Sequence, residues 1–209
     1  MAKGVESWRL FWLLALVTSV AICLGLPLAD FHSARGTAPM ILRSLRIALP
    51  LFLLAFTASS LATLWPNRLT RLLLRNRRYV GLGFAFGMAW HLSFVCYSIF
   101  SFGLAESGLT PRGLALDLVG LIFLVLLTTT SFRWPASRLT PANWRRLHKT
   151  GVYVIWFVAT YIYAHNLRHI LPVAAFSALI AAWLLRVAAW VKRRVRHGVP
   201  TSGPTETLR

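Results

Sequence analysis

Apolar residues run along this chain in six blocks, separated by short polar, arginine-rich connections. The blocks fall at roughly 8–28, 44–65, 79–103, 113–132, 148–168 and 171–191. A helix needs about 20 apolar residues to cross the hydrocarbon core of a bilayer. The pattern therefore predicts an all-α fold, a polytopic membrane bundle of six transmembrane helices. The third block is the cleanest, free of Asp, Glu, Lys and Arg from Tyr79 to Ala105. Arg43 and Arg46 flank the second, and Asp117, at the start of the fourth, is expected at the interface. Prolines agree with these limits: Pro66 closes the second block, Pro111 precedes the fourth, and Thr140-Pro141 reads as an N-cap and first-turn proline leading amphipathically into the fifth. The N-terminus starts basic, as a signal peptide does, but its uncharged run from Leu10 to Ala29 is long enough to span and is read as a retained first helix.

Composition gives the same solvent. Hydrophobic residues make up 57% of the 209, with only five acidic residues, which leaves too little polar surface for a soluble domain. The formal net charge of +18 does not signal nucleic acid, because the basic residues sit in clusters between apolar runs rather than on one folded surface. Residues 66–78, 133–149 and the C-terminal tail hold most of them, all on one side of a six-span chain. The positive-inside bias then puts both termini in the cytoplasm, with Arg186 snorkelling to that face. Residues 1–192 form the transmembrane domain, and 193–209 read as a disordered cytoplasmic tail. Cys23 and Cys96 lie in apolar runs without a C-x-x-C pair and read as buried structural thiols. There is no internal repeat of the transporter kind. No room remains for a second, soluble domain, so any redox or nucleotide-binding partner is expected to be a separate polypeptide.

Candidate chemistry lies in the histidines. Polar side chains within a membrane are costly and mark functional sites. His91 lies twelve residues into the third block, roughly 18 Å deep, and requires a buried partner, metal ligation being one way to satisfy it. His148 and His165 stand at the two ends of the fifth, where His148 alone reads as interfacial and His165 lies nearer the depth of His91. His32, His169 and His197 read as solvated loop residues. Gly83, Gly87 and His91 share one helical stripe. Such a stripe admits either a closely packed helix or the edge of a large planar group walled by aromatics such as Phe84, Trp90, Trp156 and Tyr161.

Two stretches, "LLLRNRRYVGLGFAFGMAWHLSFVCYSIF" and "NWRRLHKTGVYVIW", resemble the heads of the third and fifth spans in the ferric reductase-like transmembrane family. That family includes the haem-binding membrane subunit of the bacterial periplasmic methionine sulfoxide reductase system, NADPH oxidases and ferric reductases. The resemblance implies a bundle in the bacterial inner membrane that holds b-type haem between the third and fifth helices. His91 and His148 fall on matching positions. Relatives place another histidine thirteen residues after the latter, where this chain has Tyr161, with His165 one turn beyond; NADPH oxidases have a further histidine where this chain has Arg77. The implied ligand set is His91 with His165, with His148 as the alternative, for one haem, or two if His148 serves a second site. The implied role is the electron-transfer subunit of an oxidoreductase. Electrons would come from a quinol or a separate flavoprotein, with FMN or quinone as their source, and pass to an external acceptor such as a periplasmic oxidoreductase. Membrane lipid is the expected surrounding, and nucleic acid is not a partner. Two rival readings use the same residues: a proton or ion channel or transporter relaying through the histidines, and a scaffold that kept the bundle and lost the cofactor.

Overall fold

The computed structural model describes residues 3–107, 110–165 and 170–198. These residues form seven α-helices and one short 3-10 turn, with no strand among them. The helices are α1 (Lys3–Cys23), α2 (Ala34–Leu64), α3 (Arg68–Glu106), α4 (Pro111–Thr129), the single turn α5 (Arg133–Ala136), α6 (Pro141–Ala164) and α7 (Ile170–Gly198). Five stretches are long and apolar enough to cross a membrane: Trp8–Leu28, Ala34–Leu64, Arg68–Glu106, Pro111–Thr129 and Ile170–Val195. The fold is thus an all-helical bundle with the character of a multi-pass membrane protein. The segment α6 differs because Arg145, Arg146 and Lys149 occupy its first half. They leave an uncharged stretch shorter than the about 20 residues of a full span.

Polar side chains set the helix starts. Asn67 accepts the Thr70 amide at 2.9 Å while the Thr70 hydroxyl accepts the Asn67 amide at 3.1 Å, a reciprocal cap on α3. Thr110 and Thr140 cap α4 and α6 through the amides of Gly113 and Asn143, each followed by the expected first-turn proline. Ser33 caps α2 through Gly36. That cap begins α2 ten residues before the apolar block at 44, so Arg35, Arg43 and Arg46 ride on the helix rather than in a loop. At the far end of α3 the backbone breaks at Gly103, whose φ of 79° and ψ of 162° belong to a region open only to glycine.

Packing divides the bundle into two parts. Helix α2 lies along α3, α1 covers α3 on another side, and α7 lies against α2. On the other part α4 pairs with α6, α7 bridges α6 to α2, and α4 meets α3 only lightly. Phe52, Phe56, Phe84, Ile155 and Leu179 form the main core where α2, α3, α6 and α7 meet, and Ile22, Met40 and Phe94 form a smaller one among α1, α2 and α3.

Four sequence expectations change here. The stripe of Gly83 and Gly87 is filled by neighbouring helices: a Cβ on Gly87 would stand 2.9 Å from Ala48 Cβ, and one on Gly83 3.3 Å from Leu14. It is a helix-packing seam rather than a slot for a planar group. Cys23 is exposed and Cys96 half-buried, both free, because the apolar runs holding them turn these positions outward. Arg186 does not snorkel away. Its Nη1 donates to the Phe56 carbonyl at 3.0 Å and its guanidinium lies 4.4 Å from the Phe56 ring and 4.8 Å from that of Tyr153. Finally, α7 continues through residues 193–198 of the expected disordered tail; residues 199–209 lie outside the described residues.

Candidate functional site

The two stretches singled out in the sequence come together at one cavity. Arg77, Arg78 and Gly81 line it from α3, Trp144, Arg145, His148 and Lys149 from α6, and Arg186 from α7. Its volume is about 520 Å³, within the roughly 300–1,000 Å³ range of small-molecule sites. Phe52, Phe84, Leu124 and Ile155 supply apolar wall, and none of the lining residues is acidic. A Cβ built on Gly81 meets nothing within 4 Å, so the α3 backbone is bare where it faces this space. The cavity exists because α3 and α4 are only lightly packed while α6 turns Trp144 and His148 inward and leaves Arg145 and Lys149 at the mouth.

His148 is fixed in the wall by a polar clamp. Its Nε2 lies 3.0 Å from the Thr130 hydroxyl, whose own proton goes to the Leu126 carbonyl. That hydroxyl can therefore only accept, so Nε2 carries the proton and Nδ1 holds the free lone pair. Trp144 tightens the clamp by donating Nε1–H to the Thr130 carbonyl at 3.0 Å and stacking on the imidazole at a centroid distance of 4.2 Å.

His91 lies elsewhere. Half-buried on α3, it sets Nδ1 3.0 Å from the Ile41 carbonyl and 3.4 Å from the Ser44 hydroxyl, which itself donates to Ile41. A carbonyl only accepts, so Nδ1 is protonated and Nε2 is left as the free nitrogen. Asp117 of α4, half-buried rather than purely interfacial, stands within electrostatic range of this ring. His165 caps the exposed end of α6, its Nδ1 3.0 Å from the Tyr161 carbonyl and its ring stacked on Tyr161 at 4.0 Å.

The three histidines occupy three levels. Gly81 and His148 share the cavity; at 1.5 Å per residue His91 lies about 15 Å farther along α3, and Tyr161 and His165 about 20 and 25 Å farther along α6. No contact joins His91 to His148 or to His165 among the described residues, and only His148 lines the cavity. His169 lies outside the described residues, as does the side chain of His197. His32 is exposed, as expected. Among the described residues no three His, Cys, Asp or Glu side chains converge as a metal cage would require. Sequence reasoning missed Thr130, since a lone threonine after an apolar run carries no motif, and expected Arg186 at the membrane face rather than in this wall. No protein-family model, curated protein or solved structure matches this chain.

Proposed function

We propose that this chain is the membrane subunit of an oxidoreductase, carrying electrons across the bilayer through b-type haem. In this reading α6 crosses as a sixth span, both termini face the cytoplasm of a bacterial inner membrane, and a quinol or separate flavoprotein delivers electrons for an external acceptor. The single observation that carries it is the convergence of both family-like stretches on one cavity that presents an imidazole, apolar walls and a ring of cations.

The donor set fits such a group at this cavity. His148 offers Nδ1 while Thr130 and Trp144 hold its ring, the kind of outer hydrogen bond that orients a ligating imidazole. Arg77, Arg78, Arg145 and Lys149 suit carboxylates at one edge of an apolar macrocycle. The bare backbone at Gly81 admits a flat body close to α3. The lining residues include no second histidine, and no methionine, cysteine or tyrosine, so His148 is the one imidazole of this level. His91, with Nε2 free and Nδ1 fixed by Ile41, is prepared in the same manner for a site farther out. Haem iron supplies reversible one-electron transfer, and the protein sets its potential through burial, charge and hydrogen bonding.

A reduced-minus-oxidised spectrum of isolated membranes, with pyridine haemochrome quantification, tests this. The expected result is a b-type spectrum that His148→Ala weakens strongly and His165→Ala leaves in place. A colourless protein, or a spectrum untouched in both His148→Ala and His91→Ala, rejects it. A second reading rests on His91 of α3 and Asp117 of α4, a base and an acid both half-buried within the apolar helices, which suits a proton relay. It requires a colourless protein with pH-dependent flux in liposomes.

A further inference from the structure

At the opposite end of α1 and α2 from the His148 cavity lies a second cavity of about 480 Å³, lined by Ala21, Gly25, Leu28, Met40, Arg43 and Arg46 among others. The two cavities share no lining residue. None of its lining residues is acidic. The nearby carboxylate of Asp30 is engaged with the His32 amide at 2.9 Å and the Ser33 hydroxyl at 2.8 Å.

Arg43 is built into this wall. Its Nε and Nη2 both donate to the Ala21 carbonyl, at 3.0 and 2.8 Å, one of the carbonyls that the end of α1 leaves without an intrahelical partner. A Cβ at Gly25 would come within 2.7 Å of Arg43 Cδ and 2.8 Å of Nε, so glycine is what lets the guanidinium lie there. The bond to Ala21 uses one edge of the fork and leaves the Nη1 donors free. Arg46, one turn on along α2, is exposed and makes no hydrogen bond among the described residues.

Capping α1 accounts for Arg43. It accounts for neither the unpartnered Arg46 nor the cavity, and this end lies away from the arginine-rich connections that a positive-inside bias explains. Two guanidiniums a turn apart, one held rigid, present forks that match a tetrahedral or planar oxyanion. We propose that this cavity binds a phosphate-type oxyanion between Arg43 and Arg46, either as a soluble anion or as the headgroup of an anionic lipid in the adjoining leaflet. The proposal does not depend on haem.

The test uses the full chain in nanodiscs and follows thermal unfolding by tryptophan fluorescence. One series titrates inorganic phosphate against chloride at equal ionic strength in phosphatidylcholine; the other replaces phosphatidylcholine by phosphatidylglycerol. Stabilisation that saturates with phosphate identifies a soluble anion, and stabilisation by phosphatidylglycerol alone identifies a headgroup; either supports the site. Arg46→Gln, which removes no hydrogen bond among the described residues, should weaken the response about tenfold or more, while Arg112→Gln, an exposed cation outside the cavity, should leave it unchanged. Gly25→Ala should weaken it by displacing Arg43. No stabilisation of the unsubstituted chain in either series, a wild-type response in Arg46→Gln, or an equal loss in Arg112→Gln overturns the proposal.

Discussion

Replacing Gly87 by alanine isolates what the glycine stripe does. The added Cβ would stand 2.9 Å from Ala48 Cβ and 3.4 Å from Ala48 Cα, with Thr18 Cγ2 at 3.5 Å. Ala48 is fully buried, so it has nowhere to go. Favourable carbon contacts begin near 3.5 Å, so α2 and α3 must part by about 0.6 Å along much of their shared length. Overpacking of this kind costs about 1–3 kcal/mol, against a helix-propensity gain of up to about 1 kcal/mol for alanine over glycine. Gly81→Ala is the matched control: also within α3, it gains the same propensity, and its Cβ meets nothing within 4 Å. Propensity cancels between the two variants, and Gly87→Ala should be the less stable by about 1–3 kcal/mol. Circular dichroism during reversible unfolding in mixed detergent and dodecyl sulfate micelles measures the difference. Adding Ala48→Gly to Gly87→Ala removes the closest contact and should recover part of the loss. Equal stability of Gly87→Ala and Gly81→Ala would refute the packing argument and return the stripe to the role of an open slot.

Two further outcomes follow from single charged side chains and the groups they hold. The His32 amide and then the Ser33 hydroxyl hold the Asp30 carboxyl below its ordinary value. Their contribution is therefore complete above about pH 4, where an unfolded aspartate is already ionised, and fades as pH falls through the lower folded value. The protection of the His32 amide, its exchange rate compared with the intrinsic rate at each pH, should fall with acid in the unsubstituted chain, and Asp30→Asn should flatten that dependence; an unchanged profile in the variant argues against it. Arg186→Met keeps the unbranched apolar stem but removes the guanidinium, and with it the bond to Phe56 and the two ring contacts. It should lower unfolding stability by about 1–3 kcal/mol, and a neutral result would show that the guanidinium is held by its surroundings rather than holding them.

Hydropathy made the helices legible because burial in hydrocarbon imposes a length that can be read from composition alone. It failed at the start of α2, where the decisive signal is a local cap: Ser33 and its bond to Gly36 begin a helix in residues too polar for an apolar block. The spacing of the histidines along α3 and α6 also follows from a constant rise per residue. Rotation does not. Which neighbour lies against Gly87, and that His91 turns a nitrogen to Ile41 of α2, depend on how two helices settle against each other, and a glycine pattern supports more than one answer. Arg186 was misjudged for a related reason: near a helix end, snorkelling outward and bonding inward both satisfy a guanidinium, and the Phe56 carbonyl decides between them. The meeting of Gly81 with His148 was legible only as a resemblance, since the two residues lie far apart in the chain.

What organises the molecule is the seam between its two parts. The group of α1, α2 and α3 is closed by small residues and aromatics, and the pair α4 and α6 is joined to it chiefly through α7. Polar groups concentrate at one end of this seam, where Arg77, Arg78 and His148 line the cavity. A seam that left its cations and imidazoles facing an apolar void would be unfavourable, because desolvated polar groups without partners are costly. Arg186 and Thr130 each relieve one such cost by reaching a carbonyl. The exposed cations at the cavity mouth have no comparable acceptor among the described residues and are left to water or to an anionic body entering the cavity. Occupancy should therefore stabilise the fold in proportion to the logarithm of ligand concentration over its dissociation constant. The same lightness of packing between α3 and α4 that opens the cavity makes filling it consequential for the whole bundle.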